Sequence, residues 1–95
     1  MSEARVYVVI VELHEDDGVK VSEVRRVLEG IGFCWRQGST YFGGAAVDAV
    51  TSVMAALELG RTLPWFAASV RDIRMLRIEE NNDLMPAVQL TAENA

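Results

Sequence analysis

Residues 5–13 read Arg-Val-Tyr-Val-Val-Ile-Val-Glu-Leu, a run of β-branched and aromatic side chains that predicts a strand. Apolar and polar positions do not alternate along it, so both faces of this strand are expected to be covered. Residues 14–19 are polar and punctuated by Gly18, which predicts a turn. From Lys20 to Ile31 the apolar residues fall at Val21, Val24, Val27, Leu28 and Ile31, a helical spacing that leaves Glu23, Arg25, Arg26 and Glu29 for solvent. Gly30 and Gly32 supply its stop. Residues 33–37 and 39–43 predict two short strands joined tightly at Gly38.

A second helix is predicted over Ala46 to Leu59, with Val47, Val50, Val53, Met54 and Leu57 on one side and Gly60 as its stop. Pro64 suits the first position of a short extra helical turn carrying Trp65 and Phe66. The last strand spans Val70 to Glu79. From residue 81 a polar turn and a loose tail are expected, with Pro86 opposing any long continuation.

The order is therefore β-α-β-β-α-β, the ferredoxin-like α+β arrangement, in one domain covering residues 1–95. Right-handed crossovers place both helices on one face of a four-stranded antiparallel sheet. The first strand is apolar on both faces, so the remaining sheet face is expected to meet the same face of a second copy in a two-fold homodimer.

Composition narrows the chemistry. Hydrophobic residues make up 51% of the chain and charged residues 24%, a globular balance. The longest apolar run, Val6 to Val11, is too short to cross a bilayer. The first residues lack the basic start and apolar core of a secretory signal, so a cytoplasmic location is expected. Cys34 is the only cysteine, which excludes a disulfide framework and suggests a buried small apolar residue. His14 is the only histidine, which disfavours zinc sites and Ser-His-Asp chemistry.

Net charge is −5, whereas a general nucleic-acid coat would be basic. Any nucleic-acid role must rest on a local basic patch, helped by a metal ion. Arg36, Arg71, Arg74 and Arg77 are the candidate phosphate contacts, with ion pairs to Glu79, Glu80 and Asp83 as their alternative use. Trp35, Tyr41, Trp65 and Phe66 are read as core or interface aromatics before base-stacking ones.

Three segments resemble the virulence-associated protein D (VapD) family. Val11-Glu12-Leu13 stands where that family usually carries Asp-Leu. Gly32-Phe33-Cys34-Trp35-Arg36-Gln37-Gly38-Ser39-Thr40-Tyr41 resembles its signature around the second and third strands. Trp65 to Arg74, continuing through Arg77-Ile78-Glu79 to Asp83, resembles its last-strand signature. The family is similar in turn to the small CRISPR-associated adaptation protein, also a ferredoxin-like dimer with members assigned nuclease activity.

The resemblance implies a homodimeric endoribonuclease, the toxin of a toxin–antitoxin pair, with RNA as substrate and an antitoxin protein as partner. It implies catalytic roles for Glu12, Ser39 and Asp72. Two copies of Glu12 approaching across the dimer axis would repel, raising one pKa or recruiting Mg²⁺ to polarise a phosphate or activate water. Glu12 is a methylene longer than the family's Asp, which displaces that carboxylate. Ser39 would bond a phosphate oxygen or a 2′-hydroxyl, or cap its own turn. Asp72 would accept a proton or pair with Arg74. His14, near Glu12 in sequence, could serve as a general acid or base, and is read first as an exposed turn residue. The competing reading is a non-catalytic binding, assembly or regulatory module of the same fold.

Overall fold

The computed structural model describes residues 6–15, 17–79 and 84–93. Arg5, Asp16, Glu80, residues 81–83 of the expected tail and residues 94–95 lie outside the described residues. Among the described residues the elements run β1 (Val6–Leu13), α1 (Gly18–Ile31), β2 (Phe33–Gln37), β3 (Thr40–Gly43), α2 (Ala49–Thr62), α3 (Phe66–Ser69), β4 (Val70–Ile78) and α4 (Met85–Glu93). The four strands form an antiparallel sheet in the order β2-β3-β1-β4. This is the expected fold.

Each long helix begins where an aspartate caps it. Asp17 accepts hydrogen bonds from the backbone N–H groups of Val19 and Lys20 at 2.9 and 3.2 Å, so α1 starts at Gly18 rather than Lys20. Asp48 accepts from the backbone N–H and the hydroxyl of Thr51, both at 2.8 Å, so α2 starts at Ala49 rather than Ala46. At the other end α2 runs through Gly60 to Thr62, and the Leu63 N–H closes it on the Leu59 carbonyl at 3.0 Å. A glycine inside a helix costs only about 1 kcal/mol, which the surrounding turns tolerate.

The inward side of α2 is not the one its apolar spacing suggests. Ser52, Ala55 and Leu59 are buried, while Val50, Val53, Met54 and Leu57 are exposed. Of the apolar stripe read from the sequence only Val47, buried just before α2, faces inward; the rest lies outside, and small residues bring the helix close to the sheet. In α1 the expected stripe does face inward, with Val24 and Leu28 buried and Val27 and Ile31 packed against them.

The core lies between the helices and one face of the sheet. Val9 and Val11 of β1, Phe33 of β2 and Tyr41 of β3 meet Val24, Leu28, Ala55, Leu59 and Phe66 there. Burying a residue such as Leu28 or Leu59 contributes roughly 1.5–3 kcal/mol. On the opposite face of β1, Val8 is also buried, because Phe42 of β3 and Leu76 of β4 stand opposite it on either side. The chain thus covers Val8 by itself, while Leu76 remains 46% exposed.

Two further expectations are corrected. Cys34 is exposed, because β2 is an edge strand with only Phe33 buried. The expected loose tail carries the helix α4, in which Pro86 occupies the first turn, where no intrahelical N–H is required. Leu84, Met85, Val88 and Leu90 are exposed there. No helix among the described residues is long and apolar enough to cross a membrane.

Candidate active site

The end of β1 is held by both of its neighbours. On the β3 side, the Val11 N–H donates to the Ser39 carbonyl at 3.0 Å, fixing the β2–β3 turn one residue before Glu12. The same turn is tied by the Trp35 Nε1–H, which donates to the Gly38 carbonyl at 2.9 Å. Gly38 has φ of +55°, a left-handed turn conformation that suits glycine. Arg25 lies 4.1 Å above the Trp35 ring, so this aromatic is occupied from the helix side.

On the β4 side the register breaks. Glu12 pairs with Asp72 but Leu13 pairs with Val70, leaving Arg71 as the extra residue of a bulge. Bulges re-aim side chains. Here the Arg71 Nη2 lies 3.4 Å from Glu12 Oε1. A cavity of about 420 Å³ opens at this end of the sheet, with Glu12, His14, Glu15, Ser39 and Arg71 as its polar lining over an apolar floor that includes Val24 and Tyr41. Burial pushes the Tyr41 hydroxyl above its ordinary pKa, with the nearby Arg25 guanidinium acting in the opposite direction.

The sequence candidates divide accordingly. Glu12, Ser39 and Arg71 line one cavity. Asp72 is Glu12's cross-strand partner, but its Oδ2 accepts from Arg74 Nε at 2.7 Å and it does not line the cavity. The hydrogen bond to Asp72 raises the Arg74 pKa, reinforced by the charges of Asp72 and Glu12. Arg77 pairs with Glu79 at 3.5 Å, and Arg36 lies 5.3 Å over the Phe42 ring. Of the four arginines, Arg71 is the one that lines the cavity. Tyr41 and Phe66 are buried, Trp65 packs against the core, and Trp35 is 37% exposed.

His14 is exposed and stands on the rim of this cavity beside Glu12, with its backbone N–H bonded to the Ser69 carbonyl at 2.8 Å.

Within one chain the donor set does not fit a Mg²⁺ ion. Among the described residues no three His, Cys, Asp or Glu side chains converge. Glu12 and Asp72 each already have an arginine as counter-ion, at 3.4 and 2.7 Å, and those cations repel a divalent one. Mg²⁺ is ordinarily held by one or two carboxylates with water and phosphate oxygens, and here neither Glu12 nor Asp72 is free of an arginine.

Comparison with known proteins bears on the family. A Helicobacter pylori protein named Endoribonuclease VapD homolog is 51% identical over 69 residues, which cover 73% of each chain. This chain belongs to the VapD family. A Riemerella anatipestifer protein named Endoribonuclease VapD 2 is 61% identical over 57 residues. That match covers 60% of this chain and spans 61% of the length of that relative. A Dichelobacter nodosus protein named Endoribonuclease VapD is 34% identical over 67 residues, 70% of each chain. No family model matches the chain.

Proposed function

We propose that this VapD-family chain is an endoribonuclease that cuts RNA at the cavity formed by Glu12, Ser39 and Arg71. The observation that carries this reading is their convergence, since three separate parts of the chain bring a carboxylate, a hydroxyl and a guanidinium to one opening. The names of the Helicobacter and Riemerella relatives support the reaction class. In this reading Glu12 is the proton acceptor, Arg71 holds the scissile phosphate and Ser39 orients it. Asp72 and Arg74 form a neighbouring ion pair on β4, beside Glu12.

The working unit in this reading is a homodimer formed through the sheet face that carries Val6, Ile10, Phe42 and Leu76. On this face Val6, Ile10 and Phe42 are half-buried and Leu76 is exposed, beside the Asp72–Arg74 ion pair and with the Arg36 guanidinium over Phe42. It would place the ends of the two β1 strands near a common axis and extend the RNA track across both copies. The biological role that fits is the toxin of a toxin–antitoxin pair, neutralised by a protein partner.

The test is incubation of a long RNA with the wild-type protein and with Glu12→Gln, each checked for native secondary structure by circular dichroism. Wild type is expected to fragment the RNA and the variant to leave it intact. Equal cleavage by both would remove Glu12 from the chemistry. No cleavage by wild type, with stable capture of a protein partner, would favour a binding module.

A further inference from the structure

We infer that this site breaks RNA by metal-independent transesterification, with the substrate's own 2′-hydroxyl as the nucleophile. The inference rests on the endoribonuclease reading above and specifies its reaction class. Metal-assisted hydrolysis needs a site that draws a divalent cation and activates a water. In this chain an arginine meets each of the two carboxylates that the strands carry here, Arg71 on Glu12 and Arg74 on Asp72. The positive charge that the reaction requires is already built into the protein.

One carboxylate and one guanidinium 3.4 Å apart are sufficient for an attack that is internal to RNA. A ribose 2′-hydroxyl already lies beside its 3′-phosphate, so no water has to be positioned or activated. The Glu12 carboxylate takes the 2′-hydroxyl proton as the O2′–P bond forms. The P–O5′ bond breaks, and the leaving 5′-oxygen takes a proton from solvent. Nothing is oxidised or reduced, and no co-reactant is consumed. The products are one strand ending in a 2′,3′-cyclic phosphate and one beginning with a 5′-hydroxyl.

Arg71 neutralises the charge that builds on the two non-bridging phosphate oxygens. The bulge makes this geometry available. A regular pairing would alternate Arg71 away from Glu12, whereas the extra residue lets the guanidinium reach it. DNA lacks the nucleophile, so the same site spares it.

The test uses the full chain and a defined RNA oligonucleotide. A matched oligonucleotide carries 2′-deoxyribose at the cut nucleotide, and both are incubated in EDTA and in Mg²⁺. Cleavage of the all-RNA strand is expected to change by less than about threefold between EDTA and Mg²⁺, with cyclic phosphate and 5′-hydroxyl ends by mass spectrometry. The 2′-deoxy bond is expected to be cut at least about a thousandfold more slowly, since the nucleophile is missing. Products with 5′-phosphate and 3′-hydroxyl ends, cleavage lost in EDTA, or cutting at the deoxy bond would each overturn transesterification and leave the endoribonuclease reading standing. No cleavage of the all-RNA strand in either condition would overturn both.

Discussion

Glu12 and Arg71 come within 3.4 Å of each other because β4 carries an extra residue between its pairings with Glu12 and Leu13. Their side chains are 41% and 59% exposed, so this ion pair contributes little to folding. A bulge that pairs two exposed charges beside a cavity is better explained by what the cavity does. Stability and activity should therefore separate at Arg71.

Arg71→Gln is expected to keep the wild-type melting temperature within about 2 °C, as surface substitutions do, while RNA cleavage falls by roughly 10²–10³-fold. Arg71→Lys restores the charge without the planar fork and should recover only part of that loss. Thermal melts and initial cleavage rates on the same preparations check this. A Gln variant that cleaves at the wild-type rate would remove Arg71 from the site.

Leu59 and Leu57 are two positions apart on α2 and should respond oppositely. Leu59 is fully buried, and Leu59→Ala is expected to cost about 2–5 kcal/mol by loss of contacts and creation of a cavity. Leu57 is 60% exposed, and Leu57→Ala should change stability by less than about 0.5 kcal/mol. Urea denaturation of the two variants measures the difference directly.

That contrast marks what could and could not be read from the chain. β1 was legible from its run of β-branched side chains and α1 from its helical apolar spacing. α2 was not, because its inner face uses Ser52 and Ala55, residues too small or polar to register in an apolar pattern. Its start at Ala49 depends on the Asp48 cap, a local hydrogen bond that a periodicity count does not see. At the site, Glu12 and Ser39 stood out from the family signature. The Arg71 contact depends on a bulge, and strand alternation by itself assigns Arg71 to the opposite face.

Gly43 is predicted to be irreplaceable where its neighbour Gly44 is not. A Cβ on Gly43 would lie 2.7 and 2.8 Å from Val47 side-chain carbons and 3.0 Å from the Tyr7 carbonyl oxygen, so the β3–α2 connection would have to move. Gly43→Ala should cost about 1–3 kcal/mol by overpacking. A Cβ on Gly44 meets only the Gly32 carbonyl oxygen, at an ordinary 3.5 Å, and Gly44→Ala should be tolerated. Paired denaturation curves would show the difference.

Asp48 ties the stability of α2 to pH. Its carboxyl titrates below its ordinary value of 3.8, chiefly because the Thr51 backbone N–H, and then the Thr51 hydroxyl, hold the charged form. A pKa lowered by folding gives stabilisation that is fully present above the unfolded value and lost as pH falls through the folded one. Asp48→Ala should lower the melting temperature at neutral pH by roughly 4–8 °C, the effect of losing one cap in a domain of this size. The gap should hold down to about pH 4 and close below it as the wild-type carboxyl is protonated. A gap that persists unchanged at pH 2 would assign the effect to something other than the charged cap.

Leu76 and Met75 are adjacent on β4 and point to opposite faces of the sheet, which makes them a matched test of the proposed dimer. Leu76 stands opposite Val8 on the face left open by the helices, whereas Met75 stands opposite Val9 on the helix side. They are 46% and 41% exposed, so an aspartate at either position is tolerated by the isolated chain to a similar degree. If the open faces join two copies, Leu76→Asp places two like charges in a dry interface, where they repel and lose hydration. It should then sediment as a monomer at concentrations where wild type is a dimer, and Met75→Asp should not. RNA cleavage by Leu76→Asp should fall with the dimer fraction and recover as protein concentration rises. A Leu76→Asp protein that keeps the dimer mass would show that the open sheet face does not join the copies, and a monomer that cleaves at the full rate would show that the site is complete within one chain.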